Sequence, residues 1–262
     1  MIRYDDIDDW APALSAALGV PEQVRVALVQ AQPEYVEDAL DLLFKLTDRN
    51  AVIDATLQWI RSNEIAGYHG SRLTADDVAS IRARGLIPLQ ADARRLRLTR
   101  ALSPHARWLE VEPELDRVLT AYGSGCRGGS RENQVHLTLS RAGLTRNFNH
   151  YLTHGAEFDQ RVAEELLGSD GKVLLSKDGV PTLATVVVPG AVALVAAHPH
   201  FTIEVVRSDG NVPNLAREFL KAWSYRIAHT GFQAAELEVD CGMVFCDAIP
   251  QDWIVNVDPV TI

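Results

Sequence analysis

Cysteine is scarce in this chain: Cys126, Cys241 and Cys246 are the only three in 262 residues. An odd number with no Cys-x-x-Cys pair argues against a disulfide framework and against a thiolate zinc site. Cys241 and Cys246 stand in an apolar, strand-like stretch and read as two small buried hydrophobes rather than a redox pair. No run of about 18 apolar residues occurs, so no membrane-spanning segment and no membrane partner are expected. The start, Met1-Ile2-Arg3-Tyr4-Asp5-Asp6, lacks the basic-then-apolar order of a secretory signal, which points to the cytoplasm. The glycine-rich stretch 123–130 lacks the Gly-Lys-Ser/Thr ending of a phosphate loop and reads as a loop beside a ligand or as a plain linker. His198-Pro199-His200 has no third ligand close in sequence, so it reads as a surface turn, and no metal is expected.

What is present is a large apolar fraction, 47% hydrophobic residues, enough to bury a real core in one large domain or in one domain with a helical appendage. The formal charge of −10 is uneven. Residues 1–64 carry 12 acids and 5 bases, and residues 162–262 carry 13 acids and 6 bases, so each segment is net −7. Residues 65–161 carry 10 acids and 14 bases, net +4, and every one of those bases is arginine. The planar guanidinium fork suits phosphate. A basic centre in an acidic chain fits a local anionic ligand and excludes a general nucleic-acid coat, which needs a basic face on the whole domain.

Apolar residues recur at helical spacing through 10–63, at Leu14, Leu18, Val24 and Leu28 and again at Val36, Leu40, Leu43 and Phe44. That pattern predicts a helical segment over 1–63, followed by a second domain over 64–262. Ile65–His69 reads as a strand. Thr74 caps the helix after it, with Asp77 at the third helical position reaching back, and Gly85 ends it. The arginines at 94, 95, 97, 100 and 107 cluster with no clear element. Val135–Ser140 reads as a strand, and 147–152 and 157–167 as helices, the second ending at Gly168. Glu157 stands at that helix start, where a carboxylate favours the dipole. Beyond 168 strands are expected to dominate, at 182–188, 192–196, 201–206, 236–239, 243–246 and 253–257, with one amphipathic helix at 215–227. The order is α+β rather than the regular βαβ rhythm of a doubly wound sheet.

The string Gly67-Tyr68-His69-Gly70-Ser71-Arg72, followed by the capped helix and Gly85-Leu86, resembles the opening motif of the ADP-ribosyltransferases. Among these it is similar to the poly(ADP-ribose) polymerases, the bacterial mono-ADP-ribosyltransferases and the NAD-dependent tRNA 2′-phosphotransferases. The resemblance implies a split β-sheet core with flanking helices over 64–262 and NAD as substrate. It implies transfer of ADP-ribose to a macromolecular acceptor, protein or nucleic acid, with release of nicotinamide. His69, Gly70, Ser71 and Arg72 would contact NAD, with His69 on a ribose hydroxyl and the glycine admitting the ligand to the strand backbone.

The resemblance also implies a second motif, a strand and serine followed by a tyrosine that stacks on nicotinamide. Here that is His136 in the strand, then Ser140, then Tyr151. The usual strand tyrosine is replaced by His136, a weaker, titrating stacker. The third motif is a glutamate that bonds the ribose 2′-OH as the sugar becomes cationic. Glu236 and Glu238, two apart on one strand face, are the candidates, and Glu238 is preferred on its spacing to Ile249-Pro250. Two further readings stand beside the enzyme. One is removal of a tRNA 2′-phosphate, with the arginines near 94–100 gripping it. The other is an inactive transferase-like module that binds a regulatory partner through the N-terminal helices. Toxin, defence and housekeeping roles all remain open to such an enzyme.

Overall fold

The computed structural model describes residues 1–123 and 133–262. Most of the glycine-rich stretch, residues 124–130, lies outside the described residues, and Cys126 with it. The chain is α+β and opens with four helices, α1 (Ile7–Leu18), α2 (Glu22–Ala31), α3 (Val36–Leu46) and α4 (Arg49–Arg61). Local chemistry sets the breaks. Gly19 takes a left-handed φ of +56° after α1, where a side chain is disfavoured. At the start of α4 the Asp48 carboxylate accepts the N–H groups of Asn50 and Ala51 at 2.9 and 3.1 Å, satisfying two of the orphan donors of that turn.

The rest runs β1 (Glu64–Leu73), α5 (Ala75–Arg84), α6 (Ala91–Leu102), α7 (Trp108–Val111), α8 (Leu115–Tyr122), β2 (Val135–Thr138), α9 (His150–His154), α10 (Glu157–Leu167), α11 (Ser169–Leu175), β3 (Val180–Pro189), α12 (Gly190–Ala196), α13 (Ile203–Ser208), α14 (Asn214–Ala228), β4 (Gly242–Phe245) and β5 (Ile254–Pro259). The strands form one sheet among the described residues, in the order β4-β2-β1-β3-β5. Strand β5 pairs antiparallel with β3, from Thr182 opposite Pro259 to Val186 opposite Ile254.

Beyond residue 168 helices outnumber strands, which corrects the expectation of a strand-rich second half. The apolar run 192–196 lies in α12, and most of 201–206 lies in α13. Apolar runs this short fit either period, and the capping chemistry arbitrates. Pro189 leads into α12, and the Thr202 hydroxyl accepts the Val205 N–H at 3.4 Å at the start of α13. Residues 234–237 form a 3₁₀ turn rather than a strand. Cys246 is exposed while Cys241 is buried, so only Cys241 behaves as the expected buried hydrophobe.

Two compact units emerge from the contacts. The first comprises 1–67, 138–143 and 187–243, and the second 68–137, 144–186 and 244–262. The four N-terminal helices therefore share their unit with α14. Inside that unit Phe219 of α14 meets Tyr4, Trp10 and Trp59 edge-on, with ring centroids 5.5, 5.0 and 5.2 Å away. Such edge-to-face pairs add about 0.5–1.5 kcal/mol each beyond area burial. The Trp10 and Trp223 indole N–H groups donate to the Tyr4 carbonyl at 3.0 Å and to Ser15 Oγ at 2.8 Å, so neither ring buries an unsatisfied donor.

The second unit has its own core, with Leu98, Leu102, Trp108, Leu115, Phe158 and Val162 in one buried cluster. Its opening is the segment read from sequence as strand, cap and helix. The Thr74 hydroxyl accepts the Asp77 N–H at 3.2 Å, and the Asp77 carboxylate accepts the Thr74 N–H at 2.9 Å. This is a complete capping box closed by aspartate. Burial opposes the Asp77 charge, but the Thr74 N–H and hydroxyl, with Arg97 and Arg94 behind them, outweigh it and hold the carboxyl below its ordinary range. A carboxyl depressed in the folded state stabilises above its unfolded pKa of about 4 and loses that contribution as the pH falls through the folded value. Thr74→Ala should cost about 1 kcal/mol, the ordinary worth of such a cap. Urea titrations at pH 7 and pH 3 should show most of the difference between wild type and variant at the higher pH. An equal difference at both would mean that Asp77 does not depend on Thr74.

Candidate functional site

His69 sits on β1, and its Nδ1–H donates to the His136 carbonyl on β2 at 2.9 Å. A carbonyl only accepts, so the proton of the neutral ring is on Nδ1 and Nε2 is left as an acceptor. Burial lowers the affinity of the ring for a second proton, and Arg94 lowers it further against the opposing pull of the His136 carbonyl. The ring is therefore neutral at pH 7, with a fixed tautomer and a basic nitrogen. His136 is half-buried, and its Nε2–H donates to Gln134 Oε1 at 2.9 Å.

The rest of the His-Gly-Ser-Arg string is more committed to the fold than the sequence implied. A Cβ on Gly70 would stand 2.8 Å from Leu144 Cδ2 and 3.1 Å from Leu152 Cδ2. The space opened by this glycine is thus filled by two buried leucines rather than left for a ligand. Ser71 is buried, and the Arg72 guanidinium donates to the carbonyls of Asp178 and Gly179. Gly85 and Leu86, which complete the string, hold the C-terminal segment: Leu86 N–H donates to the Ile249 carbonyl at 3.0 Å, and the return bond is 2.9 Å.

The other predicted residues divide between the two units. Tyr151 lies on α9 as a half-buried ring, and its hydroxyl donates to Glu157 Oε1 at 2.9 Å. The His150 ring lies beside Tyr151, tilted 37° from its plane with centroids 4.0 Å apart, and its Nε2 is 3.5 Å from the same carboxylate oxygen. A Cβ on Gly155, in the turn between these helices, would lie 3.9 Å from Ser71 Oγ and 3.4 Å from Arg97 Nη2. His69, Ser71, Tyr151 and Glu157 thus belong to one compact unit.

Ser140, Glu236 and Glu238 belong to the other unit. Ser140 is fully buried; its hydroxyl donates to Asp5 Oδ1 at 2.8 Å and accepts the Gly143 N–H at 2.9 Å, which describes a structural serine closing a turn. Glu236 caps its own 3₁₀ turn, accepting the Gln233 N–H at 2.8 Å. Glu238 follows that turn at a left-handed φ of +46°. The two glutamates therefore do not share a strand face, and the spacing argument that preferred Glu238 loses its premise.

The arginines left unassigned by sequence form the electrostatic centre of the second unit. Arg94 grips Asp159 with Nε–Oδ1 at 2.9 Å and a second bond from Nη2 to Oδ2. Arg100 holds Asp178 in the same two-pronged way at 3.0 and 2.9 Å. Arg97, only 8% exposed, lies 3.7, 3.4 and 3.7 Å from Asp159, Asp178 and Asp77, and its Nη2 donates to the Arg72 carbonyl. Burial lowers the proton affinity of both Arg94 and Arg97, and the surrounding aspartates hold the charges in place.

The periodicity of the Arg-rich helix α6 conceals this network, because its partners Asp159 and Asp178 are 62–65 and 78–81 positions away. Among the described residues no group of three or more His, Cys, Asp and Glu is placed to hold a metal. No helix among them is long and apolar enough to cross a membrane. No protein-family model, no curated protein and no solved structure matches this chain.

Proposed function

We propose that the chain binds NAD in its second unit and transfers ADP-ribose to a macromolecular acceptor, protein or nucleic acid. The observation that carries this reading is the neutral, Nδ1-protonated His69 at the head of a strand, glycine, capped-helix string that resembles the transferases. Its Nε2 accepts a hydrogen bond from a ribose hydroxyl. The glycosidic C–N bond breaks with its electron pair leaving on nicotinamide, and the acceptor nucleophile attacks the cationic sugar carbon and releases its proton to solvent. Tyr151 supplies the aromatic face.

For the carboxylate that steadies the sugar we assign Glu157 rather than Glu236 or Glu238. Glu157 shares the unit of His69 and bonds the Tyr151 hydroxyl, whereas Glu236 is spent on capping. A carboxylate that acts on the transition state affects turnover more than affinity. The test is nicotinamide release from NAD, with and without cell extract as a source of acceptor, for wild type and for Glu157→Gln, Glu236→Gln and Glu238→Gln. Glu157→Gln should lower turnover about a hundredfold, the usual scale for removing an electrostatic stabiliser of the transition state. The other two variants should keep wild-type turnover. An inactive Glu238→Gln beside an active Glu157→Gln would reverse the assignment. Inert wild type in both assays would favour the non-catalytic module. The arginines that a tRNA 2′-phosphotransferase would use on phosphate are tied to aspartates and carbonyls, and no observation favours that reading.

A further inference from the structure

The first unit contains an open surface cleft of about 400 Å³ with an unusual lining for so acidic a stretch of chain. Arg49, at the start of α4, and Arg217, in the first turn of α14, both border it, with His198 between the two in sequence. Arg49 spends Nη2 on the Gly210 carbonyl at 2.7 Å and lies over the Phe44 ring. Arg217 spends Nε on Glu218 Oε1 at 3.1 Å. A guanidinium has five N–H donors, so each fork retains donors for water or an anion. His198 Nε2 accepts the Asn214 N–H at 2.9 Å, which puts the proton of the neutral ring on Nδ1 as a third donor. Val206 and Val212 give the same cleft an apolar wall. Small-molecule sites combine these features: a volume of roughly 300–1,000 Å³, apolar walls and a few convergent polar groups.

We propose that this cleft binds a phosphate-bearing small molecule of nucleotide size, with the phosphate on Arg49 and Arg217 and its ring against Val206 and Val212. Two guanidinium forks favour an oxyanion such as phosphate over a neutral ligand, because paired charge-assisted bonds match its oxygens. The site is distinct in sequence from the proposed NAD residues and stands whether or not those bind NAD. Local sequence hides it: Arg49, His198 and Arg217 are far apart in the chain, and His198-Pro199-His200 by itself reads as a turn.

Calorimetry with AMP, adenosine and inorganic phosphate tests the proposal on the full chain. AMP should bind and adenosine should not, and inorganic phosphate should bind more weakly than AMP. Arg49→Gln should weaken AMP about tenfold or more, the scale of one hydrogen bond to a charged group. Arg117→Gln, at an exposed arginine of the second unit outside both proposed sites, should leave AMP affinity unchanged. Binding of AMP that responds to His69→Ala and not to Arg49→Gln would assign the nucleotide to the other unit and overturn the proposal, as would absence of AMP binding. Should Arg49→Gln unfold early, methyl spectra of the wild type decide the matter. AMP should shift Val206 and Val212, and unmoved signals at both overturn the site.

Discussion

Asp159→Asn should destabilise the protein by about 3–5 kcal/mol, the usual penalty for removing one partner of a buried ion pair. Asp159 is fully buried, with 1% of its side chain exposed, and both of its oxygens face Arg94. Its Oδ2 is also 3.7 Å from Arg97 Nε, a buried nitrogen with no hydrogen-bond partner among the described residues. Asparagine keeps the shape but removes the charge and turns an N–H₂ group toward guanidinium donors. Arg94 and Arg97 then remain in a buried site that disfavours their charge and no longer balances it. Because these groups are withdrawn from water, added salt should recover little of the loss.

The Arg100–Asp178 pair offers a contrast, since Arg100 is 48% exposed. Arg100→Gln should therefore cost less than about 1 kcal/mol, as exposed pairs do. Urea titration of both variants separates the cases. A shift below about 1 kcal/mol for Asp159→Asn would show that the network is solvated and contributes nothing particular to the fold.

Gly85→Ala should cost at least about 3 kcal/mol. The residue has φ +78° and ψ −167°, a region open essentially to glycine alone, where another residue pays about 1–3 kcal/mol of strain. The space is closed as well. A Cβ there would lie 1.9 Å from the Ile249 carbonyl oxygen and 2.9 Å from Gln251 N. Those atoms belong to backbone, and the Ile249 carbonyl is the one that accepts the Leu86 N–H. Relief would require breaking the paired bonds between Leu86 and Ile249. Thermal melting should show a large drop in Tm, and amide exchange at Leu86 and Ile249 should accelerate more than at the centre of α10. Wild-type exchange at both amides would mean that the C-terminal segment does not depend on this glycine. Gly19→Ala is the control. Its φ is also positive, but nothing lies within 4 Å of the position a Cβ would take, so only the backbone cost remains.

The sequence by itself determined the elements whose signals are local. Helical spacing marked the first four helices, α10 and α14. Thr74, Asp77 and Gly85 marked both ends of α5, because a cap needs only atoms within four residues of itself. The strands β2, β3, β4 and most of β5, with the first half of β1, were legible from their apolar and β-branched residues.

Tertiary structure decided the rest. The runs 192–196 and 201–206 are too short for their period to separate helix from strand, and their surroundings made both helical. Residues 236–239 looked like an alternating strand, yet Glu236 turned back to cap Gln233 and Glu238 took a left-handed backbone. That turn dissolved the pairing of Glu236 and Glu238 on one face. Glu157 was visible only as a helix start until the fold set Tyr151 and His150 against its carboxylate. Arg94 and Arg97 were visible only as charge until Asp159 and Asp178 closed around them. Charge and hydrogen-bond complementarity between distant positions leaves no periodic trace in a chain, so a single sequence shows the groups that carry it without showing which of them meet.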